Sequence, residues 1–196
     1  GWDYQIGVSR LIDHGFSATN PHAGTYYSAD RDAFDQSAAN VSLGYQLNND
    51  WRVDTSFLNS EGRTFTDADG GTANTFVDLR TQVSQIKLLG KLTDRWTSKL
   101  SWGSSKDVQA NWGSAWGDSR YETQQTEYKW ENTVTTGAGL MIAGVERLEQ
   151  ELESTTAYSA KDRTIDAVFL GLNGGHEKHS WQFNVRSDDN SQFGDF

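Results

Sequence analysis

The chain has 196 residues, with 17 basic and 27 acidic side chains, a net charge of −10 and no cysteine. The acidic balance argues against nucleic acid as a partner, and the lack of cysteine excludes a disulfide framework and thiolate chemistry. Hydrophobic residues make up 35% and mean hydropathy is −0.70; no run approaches the roughly 18 apolar residues of a membrane helix, the best stretch being the short, glycine-rich Gly137–Val145.

In chain order the pattern predicts about nine strands. The first covers residues 2–11 and is followed by a long polar loop, 12–35. Strands near 37–48 and 51–60 are joined tightly at Asn48-Asn49-Asp50, and a second long loop spans 61–77. Strands near 78–92 and 95–106 meet at Thr93-Asp94-Arg95, before a third loop at 107–120. Strands near 121–135 and 139–151 meet at Thr136-Gly137-Ala138, before a fourth loop at 152–162. The last pair, near 163–173 and 178–189, closes through Gly174-Gly175-His176-Glu177. No helix-period segment with caps and no internal linker interrupts this series.

Long and short connections alternate throughout, which is the layout of an outer-membrane β-barrel rather than of a sandwich with mixed loop lengths. One proline and 19 glycines suit long strands with glycine turns, and eight Trp with seven Tyr suit interfacial girdles. The expected outward set is Val41, Leu43, Tyr45, Leu47, Trp96, Leu100, Trp102, Trp181, Phe183 and Val185. Ser42, Gln46, Lys99, Ser101, Gln182 and Arg186 would then face a wet lumen. Alternation alone is equally satisfied by a soluble core on the apolar side.

The loops carry clustered aspartates: Asp30-Arg31-Asp32 in the first, and Asp67-Ala68-Asp69-Gly70 and Asp78 in and after the second. Hard oxygen ligands at alternate positions on glycine-bearing loops are what calcium requires; ordinary solvated acidic surface is the competing reading. Neither cluster has the EF-hand spacing. The four histidines, His14, His22, His176 and His179, have no cysteine or paired acidic motif beside them and read as surface. No phosphate loop, nucleophile elbow or His-Glu-x-x-His is present. Residues 186–194, Arg-Ser-Asp-Asp-Asn-Ser-Gln-Phe-Gly, read as a strand end entering a loop, dense in hydrogen-bonding side chains.

That segment also resembles a hallmark of the TonB-dependent outer-membrane transporters of vitamin B12 (cobalamin). His14-Gly15-Phe16-Ser17-Ala18 resembles the first barrel loop of the superfamily, and Tyr128-Lys129-Trp130-Glu131-Asn132 with Gly144-Val145-Glu146 resembles its mid-barrel hairpin. The similarity runs along essentially the whole chain. It implies an all-β class in which residues 1–196 form one partial barrel domain. The expectation is an antiparallel transmembrane β-barrel, about nine strands of a 22-stranded barrel, with the plug domain and TonB box outside this sequence.

The resemblance further implies active uptake of cobalamin across the cell outer membrane, with no enzymatic step. A siderophore or other metal chelate is the alternative ligand. An outer-membrane barrel protease or lipase, and a soluble calcium-binding sandwich, are the alternatives from other classes. Implied partners are the TonB complex through the plug, and membrane lipid and lipopolysaccharide around the wall. Calcium is the implied cofactor: Asp30, Asp32, Asp67 and Asp78 match the family's aspartate ligands, while Thr66 stands where the family has a tyrosine and Ser17 near another aspartate. Ser119 falls near a cobalamin contact of the third loop.

Overall fold

Period-two alternation continues into the segments that read as loops, and the strands lengthen accordingly. The computed structural model describes residues 1–17, 19, 20, 22, 29–67, 75–114 and 116–195. Within them run β1 (Trp2–Asp13), β2 (Phe34–Gln46), β3 (Trp51–Thr66), β4 (Thr75–Thr93) and β5 (Trp96–Trp112). They are followed by β6 (Ser119–Thr136), β7 (Gly139–Ser154), β8 (Asp162–His176), β9 (His179–Asn190) and the two-residue β10 (Gly194–Asp195). Each pairs antiparallel with the next, giving one sheet in the order β1 to β10, open at β1 and β10.

The expected second loop, 61–77, is mostly strand: β3 reaches Thr66 and β4 begins at Thr75. The expected third loop, 107–120, likewise shrinks to 113–118. The polar residues there are cross-strand partners. Arg63 meets Asp78 at 2.7 Å, Arg80 meets Glu61 at 3.2 Å, and Thr81 donates to Asp107 at 2.8 Å. Ladder hydrogen bonds satisfy the backbone, so polarity marks exposure here and does not mark a loop. The short connections sit where expected. Asn48 Oδ1 accepts from the backbone N–H of Asp50 (2.9 Å) and Trp51 (3.0 Å), an Asx turn. Gly139 holds φ = 129°, and a Cβ there would overlap the Asn173 carbonyl.

Register decides which side chains share a face. One row runs Trp2, Tyr45, Val53, Leu88, Leu100, Trp130, Val145, Val168 across eight strands. All of Val41, Leu43, Tyr45, Trp96, Leu100, Trp102, Trp181, Phe183 and Val185 lie on this face; Ser42, Gln46, Lys99, Ser101, Gln182 and Arg186 lie on the other. Among the described residues no second sheet covers the apolar side. Among the described residues the only buried hydrophobics are Ala110 and Ala167, while Leu100 is 52% and Val185 63% exposed. A sandwich would bury these against a partner sheet.

The apolar region is a band. On β3 it runs from Trp51 to Phe57 before Glu61, and on β5 from Trp96 to Trp102 before Lys106. Each run is seven residues, about 23 Å along the strand, against the 9–11 residues of a whole membrane-crossing strand. The surplus length of strands such as the 19-residue β4 carries the charged rows toward the long loops.

The band also slants. Its aromatic lower edge is Trp2 on β1, one alternate position lower at Trp51 on β3, two lower at Trp96 on β5, and three lower at Trp181 on β9. Three steps of about 6.6 Å over eight strand spacings of about 4.8 Å give a slope of about 27°. Strands tilted to a membrane normal require such a slope, and barrels reach about 35–45°.

Candidate functional site

At the long-loop end, the register of β2 with β3 builds the acidic junction. Phe34 pairs with Thr64, and the Phe65 N–H donates to the Ala33 carbonyl at 2.9 Å, extending the ladder one step. One or two further steps bring Asp30 and Asp32 alongside Asp67. Both Asp67 carboxylate oxygens are closed off from solvent and meet no hydrogen-bond donor at ordinary geometry among the described residues. Burial pushes the Asp67 carboxyl above the usual carboxylate range, and the charges of Asp32 and Asp30 add to this against a lowering contact from Thr19. Of the four expected calcium ligands, Asp30 and Asp32 therefore bear on Asp67 through their charge.

Asp78 does not join them. It lies in β4 opposite Arg63, whose Nε and Nη2 donate to it at 2.7 and 3.0 Å. Arg63 precedes Asp67 by four residues, about 13 Å along a strand. Thr66 is turned to its partner Thr75, with 3.2 Å between the hydroxyls. Ser17 Oγ donates to the Thr19 carbonyl at 3.2 Å. Among the described residues no group of three or more acidic or histidine side chains is arranged to hold a metal ion; Asp69 lies outside the described residues. Ser119, the expected ligand contact, opens β6 on the polar face and accepts from Asn111 Nδ2 at 3.0 Å.

The polar face carries an ion ladder that the pattern did not connect. Lys99 meets Glu131 at 2.6 Å, Lys129 meets Glu146 at 3.3 Å, and Arg186 meets Glu146 at 3.0 Å and Asp188 at 2.8 Å. Arg186 on β9 reaches Glu146 on β7 by crossing β8 at Ala167, which pairs with Glu146 on one side and Asp188 on the other. The same device recurs at the other end of the sheet. Arg52 on β3 binds Asp54 on its own strand and crosses Gly44 to reach Asp3 on β1 at 2.8 Å. Gly44 again pairs with both acids. A small residue between two acids lets one arginine clamp three strands. The Arg-x-Asp pairs at 52–54 and 186–188 are the only local trace of it.

No protein-family model matches the sequence, and no curated protein matches it. Solved structures do. The siderophore receptor PirA from Pseudomonas aeruginosa superposes with a TM-score of 0.70 at 15% identity, over 85% of this chain and 29% of that one. A mutant of the ferric enterobactin receptor PfeA from the same organism gives 0.78 at 14% identity, over 100% of this chain and 35% of that one. The chain has the fold of part of a receptor β-barrel. At these identities the likeness carries the fold, and the chain spans about a third of each receptor's length.

Proposed function

We propose that this sheet is a wall segment of a TonB-dependent outer-membrane transporter, which binds a scarce, large ligand at its loops and passes it inward without bond chemistry. The observation that carries the reading is the two-sided sheet: a slanted, aromatic-edged apolar band faces one way and a clamped polar ladder the other. Exposed apolar side chains need lipid on the first face. An open sheet edge in a bilayer is costly, so further strands would complete the barrel on β1 and β10.

Cobalamin is the ligand implied by residues 186–194. A ferric siderophore is the rival, and the receptors PirA and PfeA favour it. The test is uptake into cells expressing the protein in its outer membrane, with and without energised TonB, using radiolabelled cyanocobalamin and a ferric siderophore. TonB-dependent accumulation of either supports transport and names the ligand. Accumulation of neither, with the protein folded in the outer membrane, rules the reading out.

Calcium belongs to the same proposal. Asp30 and Asp32 bear on Asp67 at the junction of the first two long loops, and a divalent cation there would neutralise the carboxylate that burial has disfavoured. Asp78, held by Arg63, stands apart from that set. Titration with calcium should protect residues 29–33 and 65–67 from hydrogen exchange. Unchanged exchange at saturating calcium would rule this site out.

A further inference from the structure

On the polar face, between the ion ladder and the long loops, β2 to β6 enclose a groove of about 380 Å³. This is room for one ring or side group of a larger ligand. Its floor is Gly62, where a Cβ would stand 3.3 Å from the Asp35 carbonyl oxygen. Its walls include Gln36, Ser60, Thr81, Gln109, Tyr121 and Thr123. Register sets Gln36, Gly62, Leu79, Gln109 and Tyr121 in one row, so the glycine opens a notch between the Gln36 amide and the Leu79 side chain, with the Gln109 amide and a phenol ring beyond.

Apart from one carboxylate, the polar side chains on this face of the groove are uncharged. Gln36 Nε2 donates to Ser60 Oγ at 2.9 Å, leaving its carbonyl to accept from a ligand. Gln109 Nε2 is committed to Asn111 at 3.2 Å in the same way. The charged side chain in the wall is Asp107, which accepts from Thr81. Arg80 borders the groove, but its guanidinium is bonded to Glu61 on the opposite face. An anionic ligand group would therefore lose water beside a carboxylate without meeting a cation. A hydroxyl or amide would find acceptors, donors and an aromatic platform.

Resting on the transporter reading above, we infer that this groove is a subsite for an uncharged part of the ligand, rich in hydroxyl or amide groups, and not for an anionic chelate. The test uses outer membranes from cells expressing the protein. Three probes are titrated: cyanocobalamin, which is neutral and fringed with amides; maltoheptaose, neutral and hydroxylated; and ferric enterobactin, which is anionic. At least one neutral probe should bind with an affinity that does not change with ionic strength, as no charge pair is formed. Gly62→Leu, which fills the notch, should weaken it about tenfold or more.

Gln109→Lys keeps the strand and places a cation in the groove. It should weaken the neutral probe and strengthen ferric enterobactin. Tighter binding of ferric enterobactin than of either neutral probe by the unaltered protein would overturn the inference while leaving transport intact. Neutral binding that is indifferent to both substitutions would also overturn it. Binding of none of the three would overturn the transporter reading and the subsite with it.

Discussion

Ala167→Leu tests the three-strand clamp most directly. Ala167 is 4% exposed and lies between Glu146 and Asp188, beneath the path Arg186 takes across β8. A leucine there occupies that path, so the bridges of 3.0 and 3.3 Å from Arg186 to Glu146 are lost. Charged hydrogen bonds contribute about 1.5–3 kcal/mol when shielded and exposed pairs about 0.2–1 kcal/mol. The Arg186 side chain is 41% exposed and Glu146 17%, and Glu146 keeps Lys129 at 3.3 Å. The screened bridge should therefore contribute about 1 kcal/mol, with about 1–3 kcal/mol more lost to overpacking in Ala167→Leu.

A double-mutant cycle with Arg186→Met separates the two effects. With the arginine gone there is no bridge left to lose, and the leucine has room. Its cost should fall by about 1 kcal/mol, roughly a fivefold change in the unfolding equilibrium. Urea titration of the protein in lipid vesicles, followed by tryptophan fluorescence, reads this out at constant slope. Costs that add to within about 0.3 kcal/mol would refute the clamp.

On the apolar face, Leu100→Arg or Val145→Arg should destabilise the membrane-inserted protein by about 2–4 kcal/mol, measured by the same titration. Ser101→Arg on the opposite face should be nearly neutral, and equal costs on both faces would contradict the band. At the acidic junction the folded carboxyl of Asp67 titrates above its unfolded value of 3.8. The stability it contributes is full below that value and is lost as pH rises through the folded pKa. Hydrogen exchange at residues 65–67 should speed up over that window without divalent cations, and Asp67→Asn should abolish the dependence. Gly139→Ala must adopt φ = 129° against the Asn173 carbonyl, which should cost about 1–3 kcal/mol and show as a lower urea midpoint.

What the sequence determined by itself is local. Alternation at Val41–Gln46, Trp96–Trp102 and Trp181–Val185 assigned the two faces correctly, because a strand's side chains alternate whatever lies next to it, whereas Leu47 falls past the end of β2. The Asn48 and Gly139 turns were legible for the same reason: their constraints act within a few residues. Polar alternation at 61–66 and 107–112 was misread as loop, since hydrophobicity reports the surroundings of a strand and not its hydrogen bonds.

Contacts distant in sequence belong to register, which only the tertiary structure decided. Arg186 finds Glu146 40 residues away because two ladders place Ala167 between them. Asp67 feels the charges of Asp30 and Asp32 while Asp78 turns to Arg63, because the pairing of β2 with β3 extends to Phe65 and the pairing of β3 with β4 holds Asp78 on Arg63. A shift of one residue in either ladder would move every one of these side chains to the other face. Composition does not encode that choice; the summed cross-strand pairs of the whole sheet make it.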